Sequence, residues 1–324
     1  MGGIYIRFTE QQLKNYARPL SETENQQCLN AIKMVRDALK ELGFTDDYKS
    51  IEPLYKDTYA YSVEMRSLYG SRNIRLFIQG SYANNTNVRT ESDVDIAVIQ
   101  EEVFQTIYRT GVTDKDYQFI TAPASTKSFK DEVQECLEMR FGSDVERKNK
   151  SIKINGNTYR KDADAVPCTR YRDYRQDYLN DTSNYIGGVV ITSDEGERII
   201  NYPEQHIANG KRKNNETNHY YKKMVRIMKK MRYLMEEHSY ISAKNVSSFG
   251  LESLLWNIPN SVFTKYSTYK YAFEEIVNYI YYNTCHLHNY KEANGIKALC
   301  PKQSDINNYK NFIVDLKEFY QYDI

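Results

Sequence analysis

Residues 80–95 read GSYANNTNVRTESDVD, and this stretch lies between two predicted strands. A mostly apolar run at 74–79, rich in β-branched and aromatic residues, precedes it and predicts a strand. The glycine and serine that open the stretch end that strand, and polar, turn-forming residues follow them. A second apolar run predicts another strand at 93–99, which begins with the carboxylates of Asp93 and Asp95.

The two carboxylates predict a cation site. Side chains alternate along a strand, so Asp93 and Asp95 point to one face and repel each other unless a cation lies between them. Hard divalent ions such as Mg²⁺ take oxygen ligands of this kind together with substrate phosphates. Gly80 lets backbone N–H groups approach a phosphate closely, and the Ser81 hydroxyl can donate to it. The alternative is an ordinary β-hairpin with a solvated acidic edge.

Further carboxylates follow downstream. The segment 158–166 reads TYRKDADAV and predicts a strand stopped by the proline after it. The dipeptide Asn155-Gly156 predicts a hairpin that joins this strand to another at 151–154. Asp162 and Asp164 share one face of the later strand because they are two residues apart.

The order G-S, eleven residues, then D-x-D resembles the nucleotidyltransferases of the DNA polymerase β superfamily. In that superfamily a third metal ligand comes from a neighbouring strand, and a D-x-V-P stretch is typical of one branch. The resemblance implies three catalytic, metal-binding carboxylates: Asp93, Asp95 and Asp164. Asp162 is the alternative to the third. The resemblance also implies nucleotide binding by Gly80 and Ser81, and Mg²⁺ as cofactor with Mn²⁺ as a substitute.

Composition limits the partners and the compartment. The chain has 324 residues, enough for two domains, and its formal net charge of +1 creates no strong field toward nucleic acid or anionic membrane. It has no run of about 18 apolar residues and no apolar signal-peptide core, so we expect a soluble, cytoplasmic protein without membrane contact. Five scattered cysteines form no disulfide framework and favour a reducing compartment.

Other patterns predict the surrounding elements. Residues 21–24 match a capping box and predict a long amphipathic helix that ends near residues 42–43. We predict a second helix over 128–141, strands within 185–200, and a helix in the later part of 45–73 that ends near Gly70.

The second half of the chain is predicted to be helical. Residues 201–218 are polar and loop-like, and we place the domain division here, with domains at 1–210 and 211–324. Beyond this loop, apolar residues recur at helical spacing. Six basic residues are interpreted as a solvated helix face: Lys211, Arg212, Lys213, Lys222, Lys223 and Arg226.

The basic helix at 225–232 and the segment SSFGLESLL at 247–255 resemble the second lobe of the cGAS/DncV-like nucleotidyltransferases, or CD-NTases, and of their oligoadenylate synthetase relatives. In that lobe a helix lysine and a serine hold the donor triphosphate, and the following aromatic residue stacks on a base. These roles fall on Lys229, Ser248 and Phe249, with Lys230 as the alternative lysine.

The resemblance implies an α+β fold. It consists of a polymerase β-like nucleotidyltransferase lobe, with a mixed sheet and helices, and a C-terminal helical lobe of the poly(A) polymerase and oligoadenylate synthetase type. A long N-terminal spine helix bridges the two lobes.

The implied activity is synthesis of a cyclic di- or trinucleotide from NTPs, ATP plus a second NTP, with release of pyrophosphate. The product serves as a second messenger that activates an effector in bacterial CBASS antiphage defence. The alternatives are nucleotide transfer to RNA, a small molecule or a protein, synthesis of a linear oligonucleotide, and nucleotide binding without turnover.

Zinc and duplex DNA are not expected partners. The animal DNA sensor of this family has a zinc-binding insertion and strongly basic surfaces, and neither is evident here. The one cluster that resembles a metal site fits zinc spacing poorly, and we expect it to lie on a helix surface: Cys285, His286, His288 and Cys300.

Overall fold

The computed structural model describes residues 8–55, 58–88, 93–122 and 125–320, which form two compact units. The first, here called the sheet unit, comprises residues 21–55, 58–83, 93–122 and 125–204. The second, here called the helical unit, comprises residues 8–20, 84–88 and 205–320. None of the helices in these ranges is long and apolar enough to cross a membrane.

The strands are β1 (Phe44–Thr45), β2 (Glu52–Pro53), β3 (Tyr61–Ser67), β4 (Asn73–Ile78), β5 (Val94–Tyr108), β6 (Val145–Arg147), β7 (Ile152–Ile154), β8 (Ala163–Tyr174), β9 (Ile186–Thr192) and β10 (Arg198–Asn201). The α-helices are α1 (Glu10–Tyr16), α2 (Glu22–Leu39), α3 (Gly80–Ala83), α4 (Phe129–Phe141), α5 (Pro203–Glu216), α6 (Tyr220–Glu237), α7 (Ile241–Lys244), α8 (Ser248–Trp256), α9 (Asn260–Thr264), α10 (Tyr269–Tyr282) and α11 (Gln303–Phe319). Short 3₁₀ segments lie at Lys40–Leu42, Asp114–Tyr117, Gly142–Asp144 and Thr284–Asn289.

One mixed sheet organises the sheet unit, with the strand order β1-β3-β4-β5-β8-β7-β6. Strand β9 pairs with β8 and β10, and β2 pairs with β3. The central pair β5–β8 is parallel, whereas β4–β5 and β7–β8 are antiparallel. Val94, Ile96 and Val98 are fully buried on one face of β5, which leaves Asp95 on the other face.

The predicted N-terminal helix is confirmed as α2, which packs against β4 and β5. Its first turn is closed by the predicted capping box: the Glu24 amide donates to Ser21 Oγ at 3.2 Å, and the Ser21 amide donates to Glu24 Oε2 at 2.9 Å. The predicted helix at 128–141 is confirmed as α4, with Ser128 as its N-cap. The predicted strands within 185–200 are β9 and β10.

The helix predicted to end near Gly70 is wrong, because the segment forms strand β3. Val63 and Met65 are buried and alternate with exposed Glu64 and Arg66, which is the period of a strand. The backbone of β3 is satisfied by pairing with β1, β2 and β4.

The predicted stop at Pro167 is also wrong, because β8 continues through this proline to Tyr174. Strand β7 pairs with β8 as far as Ala165, and β9 pairs with it from Thr169 onward. Among the described strands, only β5 therefore pairs with β8 at Pro167. Proline has no backbone N–H to donate, but no described strand on the other side of β8 needs a hydrogen bond there.

The predicted strand pair is confirmed as the antiparallel hairpin of β7 and β8, but the predicted two-residue turn at Asn155-Gly156 is wrong. Ile154 pairs with Ala163, so the loop between β7 and β8 has eight residues, 155–162.

The helical unit buries the apolar faces of α6, α8, α10 and α11 in one core. The apolar stripe predicted beyond residue 218 is confirmed on α6 as five buried residues: Tyr221, Val225, Met228, Met231 and Met235. The loop predicted at 201–218 is wrong for most of its length, because it contains α5. The chain enters the helical unit at residue 205 and also contributes residues 84–88 to it, whereas the sequence places the division after residue 210.

The solvated basic face is wrong for three of its six members. Lys213, Lys222 and Arg226 are less than a tenth exposed. Arg226 Nε donates to the Ala17 carbonyl at 2.7 Å, and Lys213 donates to the carbonyl of Ile258. Burial lowers the pKa of Lys213 and of Lys222 to about 8. Lys213, Lys222 and Arg226 are therefore part of the packed interior of the helical unit.

Candidate active site

The sheet unit brings the three predicted carboxylates together. In the parallel pair β5–β8, Asp95 lies directly beside Asp164. Neighbouring residues in register project to the same face of a sheet, and Asp93, two residues before Asp95, projects to that face as well. Asp164, on the neighbouring strand β8, therefore lies on the same face as Asp93 and Asp95, as the family resemblance implies.

Burial and mutual repulsion raise the pKa values of two carboxylates in this group. Burial raises the pKa of Asp95 to about 7, and repulsion from Asp164 and then Asp93 adds to this effect. Burial, followed by repulsion from Asp93, also raises the pKa of Asp164, although a hydrogen bond from Ser151 at 3.2 Å opposes the change.

Gly80 lies against the centre of this group. Its φ of +71° is in the left-handed region, and a Cβ placed on it would lie 2.5 Å from Asp95 Oδ2. The Gln79 amide donates to the Asp95 carbonyl at 2.9 Å, which holds the end of β4 beside the start of β5. The predicted turn after β4 is the one-turn helix α3, and Ser81 is half-buried within it. The remaining part of the quoted stretch, residues 89–92, lies outside the described residues.

A lysine that the sequence analysis did not identify joins the carboxylates. Lys153 on β7 lies opposite Asp164 on β8, and its Nζ is 3.4 Å from Asp93 Oδ2 and 3.5 Å from Asp162 Oδ2. Burial alone would lower the pKa of Lys153, but Asp93 and Asp162 raise it. The alternation of Ser151 and Lys153 with Ile152 and Ile154 was a readable signal of a polar face.

The geometry favours Asp164 over Asp162 as the third carboxylate. Asp162 precedes β8 and accepts a hydrogen bond from the Gly156 amide, while its other oxygen pairs with Lys153. Its carbonyl also accepts from the Val94 amide at 2.9 Å. Asp162 thus holds the loop, and Asp164 faces Asp95.

The donor set suits a hard divalent cation. Asp93, Asp95 and Asp164 offer carboxylate oxygens, and the mutual repulsion in the group is what such a cation would relieve. Within the described ranges, no group of three or more His, Cys, Asp or Glu side chains is placed to hold a metal ion on its own. A Mg²⁺ ion at these carboxylates would need further ligands from water and substrate phosphates.

The predicted triphosphate lysine, Lys229, lies in the helical unit and is 2% exposed. Its Nζ donates to Glu252 Oε2 at 2.8 Å and to Thr86 Oγ1 at 3.2 Å. His206 Nε2 lies 2.8 Å from the other oxygen of Glu252. Burial alone would raise the pKa of Glu252, but Lys229 and then His206 hold it well below its ordinary value. Lys230 is half-buried on the same helix.

Ser248 and Phe249 open helix α8 in the same unit. Ser248 is half-buried, and its Oγ accepts a hydrogen bond from Arg232 Nη1 at 3.2 Å. Phe249 is 38% exposed, and its ring meets the His206 ring edge-on at a centroid distance of 5.0 Å. Arg232, His206 and Glu252 were not among the residues predicted from sequence. For Glu252 a signal existed, because it is a lone carboxylate within an apolar helix.

The Cys/His cluster is dispersed. Cys285 is exposed, and His288 Nδ1 donates to its carbonyl at 2.8 Å, whereas Cys300 is buried. All five cysteines are free thiols.

The mixed sheet brings together carboxylates from two neighbouring strands, with a left-handed glycine against them. Together with the second, helical unit, this arrangement is that of a nucleotidyltransferase. Family comparisons agree: residues 61–170 match a nucleotidyltransferase domain. Residues 208–321 match the cGAS/DncV-like nucleotidyltransferase C-terminal helical domain.

Similar proteins place the chain within one family. It is 48% identical over 316 residues, 97% of each chain, to cyclic GMP-AMP synthase CdnE03 of Staphylococcus schleiferi. It is 35% identical over 294 residues, 90% of each chain, to the cyclic dipyrimidine nucleotide synthase CdnE of Cecembia lonarensis. A solved structure of the Elizabethkingia meningoseptica CdnE cyclic dinucleotide synthase, with GTP and Apcpp, matches at a TM-score of 0.72. That match has 31% identity and covers 97% of this chain and 100% of the other. The chain belongs to the cGAS/DncV-like nucleotidyltransferases, and the predicted family and fold class are confirmed.

Proposed function

We propose that this enzyme joins NTPs into a cyclic di- or trinucleotide and releases pyrophosphate. The observation that carries the proposal is the group of Asp93, Asp95 and Asp164 on one face of β5 and β8, with Gly80 against it. The activities in the names of the similar proteins, all cyclic nucleotide synthases, support it. ATP plus a second NTP are the proposed substrates.

The carboxylates are the proposed metal ligands. Asp93, Asp95 and Asp164 would hold two Mg²⁺ ions, for which Mn²⁺ would substitute, and these ions would neutralise the charge that develops at the α-phosphate. Asp164 accepts the proton of the attacking hydroxyl. Gly80 lets backbone N–H groups approach the phosphates. A side chain at this position would instead occupy the space beside Asp95.

Further nucleotide contacts are proposed within the helical unit itself. Ser248 and a lysine of α6 hold the triphosphate, and Phe249 stacks on a base through its exposed part. Lys230 is the better candidate for this lysine, because the ammonium of Lys229 is buried between Glu252 and Thr86. Ser81 donates to the phosphates from α3.

We further propose that the product activates a separate effector in CBASS antiphage defence and that duplex DNA is not the trigger. The near-neutral net charge of +1 and the structural use of Lys213, Lys222 and Arg226 support the second point.

The decisive experiment follows radiolabelled NTPs. Purified protein is incubated with all four NTPs and Mg²⁺ or Mn²⁺, and products are resolved after phosphatase treatment. A cyclic product resists phosphatase, because every phosphate is bridging, and a short linear 5′-triphosphate precedes it. A ladder of lengthening products, or a final product that phosphatase trims, would contradict cyclisation. Activity that rises with duplex DNA at low salt would contradict DNA independence.

A further inference from the structure

Lys153 lies between two carboxylates with different surroundings. Its Nζ is 3.4 Å from Asp93 Oδ2 and 3.5 Å from Asp162 Oδ2. The side chain of Lys153 is 24% exposed, whereas those of Asp93 and Asp162 are 38% and 46% exposed. One of these carboxylates belongs to the proposed metal site, and the other holds the loop before β8.

We propose that Lys153 is a built-in counter-ion that exchanges with the catalytic divalent cation. In the metal-free protein its ammonium neutralises Asp93; when a metal binds, the ammonium leaves Asp93 and keeps its pairing with Asp162. This proposal rests on the proposed metal site and adds a positioning residue to it.

The chemistry of the two cations makes them competitors. The Lys153 ammonium and a divalent ion would both bind the Asp93 oxygens. The ammonium is carried by a flexible four-carbon side chain, so it can move away from Asp93, whereas a backbone N–H could not. Register keeps Lys153 close, because β7 places it opposite Asp164. The metal must therefore displace a resident charge.

Asp162 provides the second position for the ammonium. Its Oδ1 accepts from the Gly156 amide, which fixes the carboxylate while Oδ2 faces Lys153. Lys153 consequently weakens binding of a lone metal ion and limits repulsion within the metal-free group. Because the triphosphate supplies further metal ligands, the site is expected to load when metal and nucleotide arrive together.

The test measures Mn²⁺ binding to the nucleotide-free protein by electron paramagnetic resonance. The variant K153M removes the competing charge, so its Mn²⁺ Kd is expected to fall about two- to fivefold, the range for a partly exposed ion pair. D162N removes the second position and should raise the Kd by a similar factor. In the double variant K153M/D162N the Kd should match that of K153M, because no ammonium remains to be redirected.

A matched control uses another lysine before the same strand. Lys150 pairs with Glu197 at 3.3 Å and touches none of the three carboxylates through a described ion pair, so K150M should leave the Kd unchanged. K153Q provides a second neutral variant if K153M does not fold.

Two results would overturn the exchange: a Kd that is unchanged or higher in K153M and K153Q, or an effect of D162N that persists without Lys153. A wrong assignment of the metal site itself would give a different result. In that case D93N/D95N would bind Mn²⁺ as well as the wild type does.

Discussion

Replacement of Gly80 by alanine tests the contact at the centre of the site. Gly80 has a φ of +71°, and its added Cβ would lie 2.5 Å from Asp95 Oδ2. The left-handed backbone costs a residue with a side chain about 1–2 kcal/mol. Overpacking against the Asp95 carboxylate, which must shift to relieve the overlap, costs about 1–3 kcal/mol more. We therefore expect G80A to lower the free energy of unfolding by about 2–5 kcal/mol.

The effect on activity should exceed the effect on stability. Relief of the overlap moves the Asp95 carboxylate away from its place beside Asp164. Misplacement of a reacting group by about 1 Å can cost about a hundredfold in rate, so pyrophosphate release from NTPs should fall at least that much.

Gly111 provides the matched control. Its φ is +85°, and a Cβ there would meet nothing within 4 Å, so G111A carries the backbone cost without the overlap. Urea unfolding should show the smaller loss of about 1–2 kcal/mol, with activity retained. The reasoning would be refuted if G80A were as active as G111A, or no less stable.

Three further predictions concern the same residues. D93N/D95N should lose turnover by orders of magnitude while the metal-free protein melts at the same or a higher temperature, because the substitutions relieve repulsion; near-normal synthesis would exclude the proposed metal site. The raised pKa of Asp95, about 7, means that the folded protein holds this proton more tightly than the unfolded chain does. Titration of Asp95 should therefore lower metal-free stability as pH rises from about 4 to about 7, and in urea unfolding at several pH values D95N should remove this component. F249A should raise the KM for NTPs with little change in melting temperature, since Phe249 is 38% exposed; an unchanged KM would exclude base stacking.

The sequence predicted the parts of the site that depend on local spacing. Asp93 and Asp95 share a face because strand side chains alternate, and this holds whatever the strand packs against. The partnership of Asp95 with Asp164 requires the register of β5 and β8, which the family resemblance implied and no local pattern specifies. Lys153 was missed for the same reason, since only the β7–β8 register places it near Asp93.

Two elements were mispredicted because tertiary contacts outweigh local preference. Helix α5 is rich in Asn and contains Gly210, so its intrinsic helix propensity is low. A Cβ on Gly210 would lie 2.7 Å from Asn84 Oδ1, so close packing requires glycine at this position. In β3 the buried Val63 and Met65 carried the correct period, but the Glu and Arg between them favour helices.

The buried ion pair between Lys229 and Glu252 provides a test of which lysine, Lys229 or Lys230, binds the triphosphate. Their side chains are 3% and 1% exposed, so K229M would leave a buried carboxylate without its main cation and should cost about 3–5 kcal/mol of unfolding free energy. K230M, at a half-buried position, should cost less than about 1 kcal/mol. If Lys230 holds the triphosphate, K230M loses a charge-assisted hydrogen bond and should raise the KM for ATP about tenfold or more. Urea unfolding and steady-state kinetics on both variants measure these quantities. An unchanged KM in K230M, together with a stable K229M that no longer binds ATP, would return the phosphate-binding role to Lys229 and make its pairing with Glu252 a resting state.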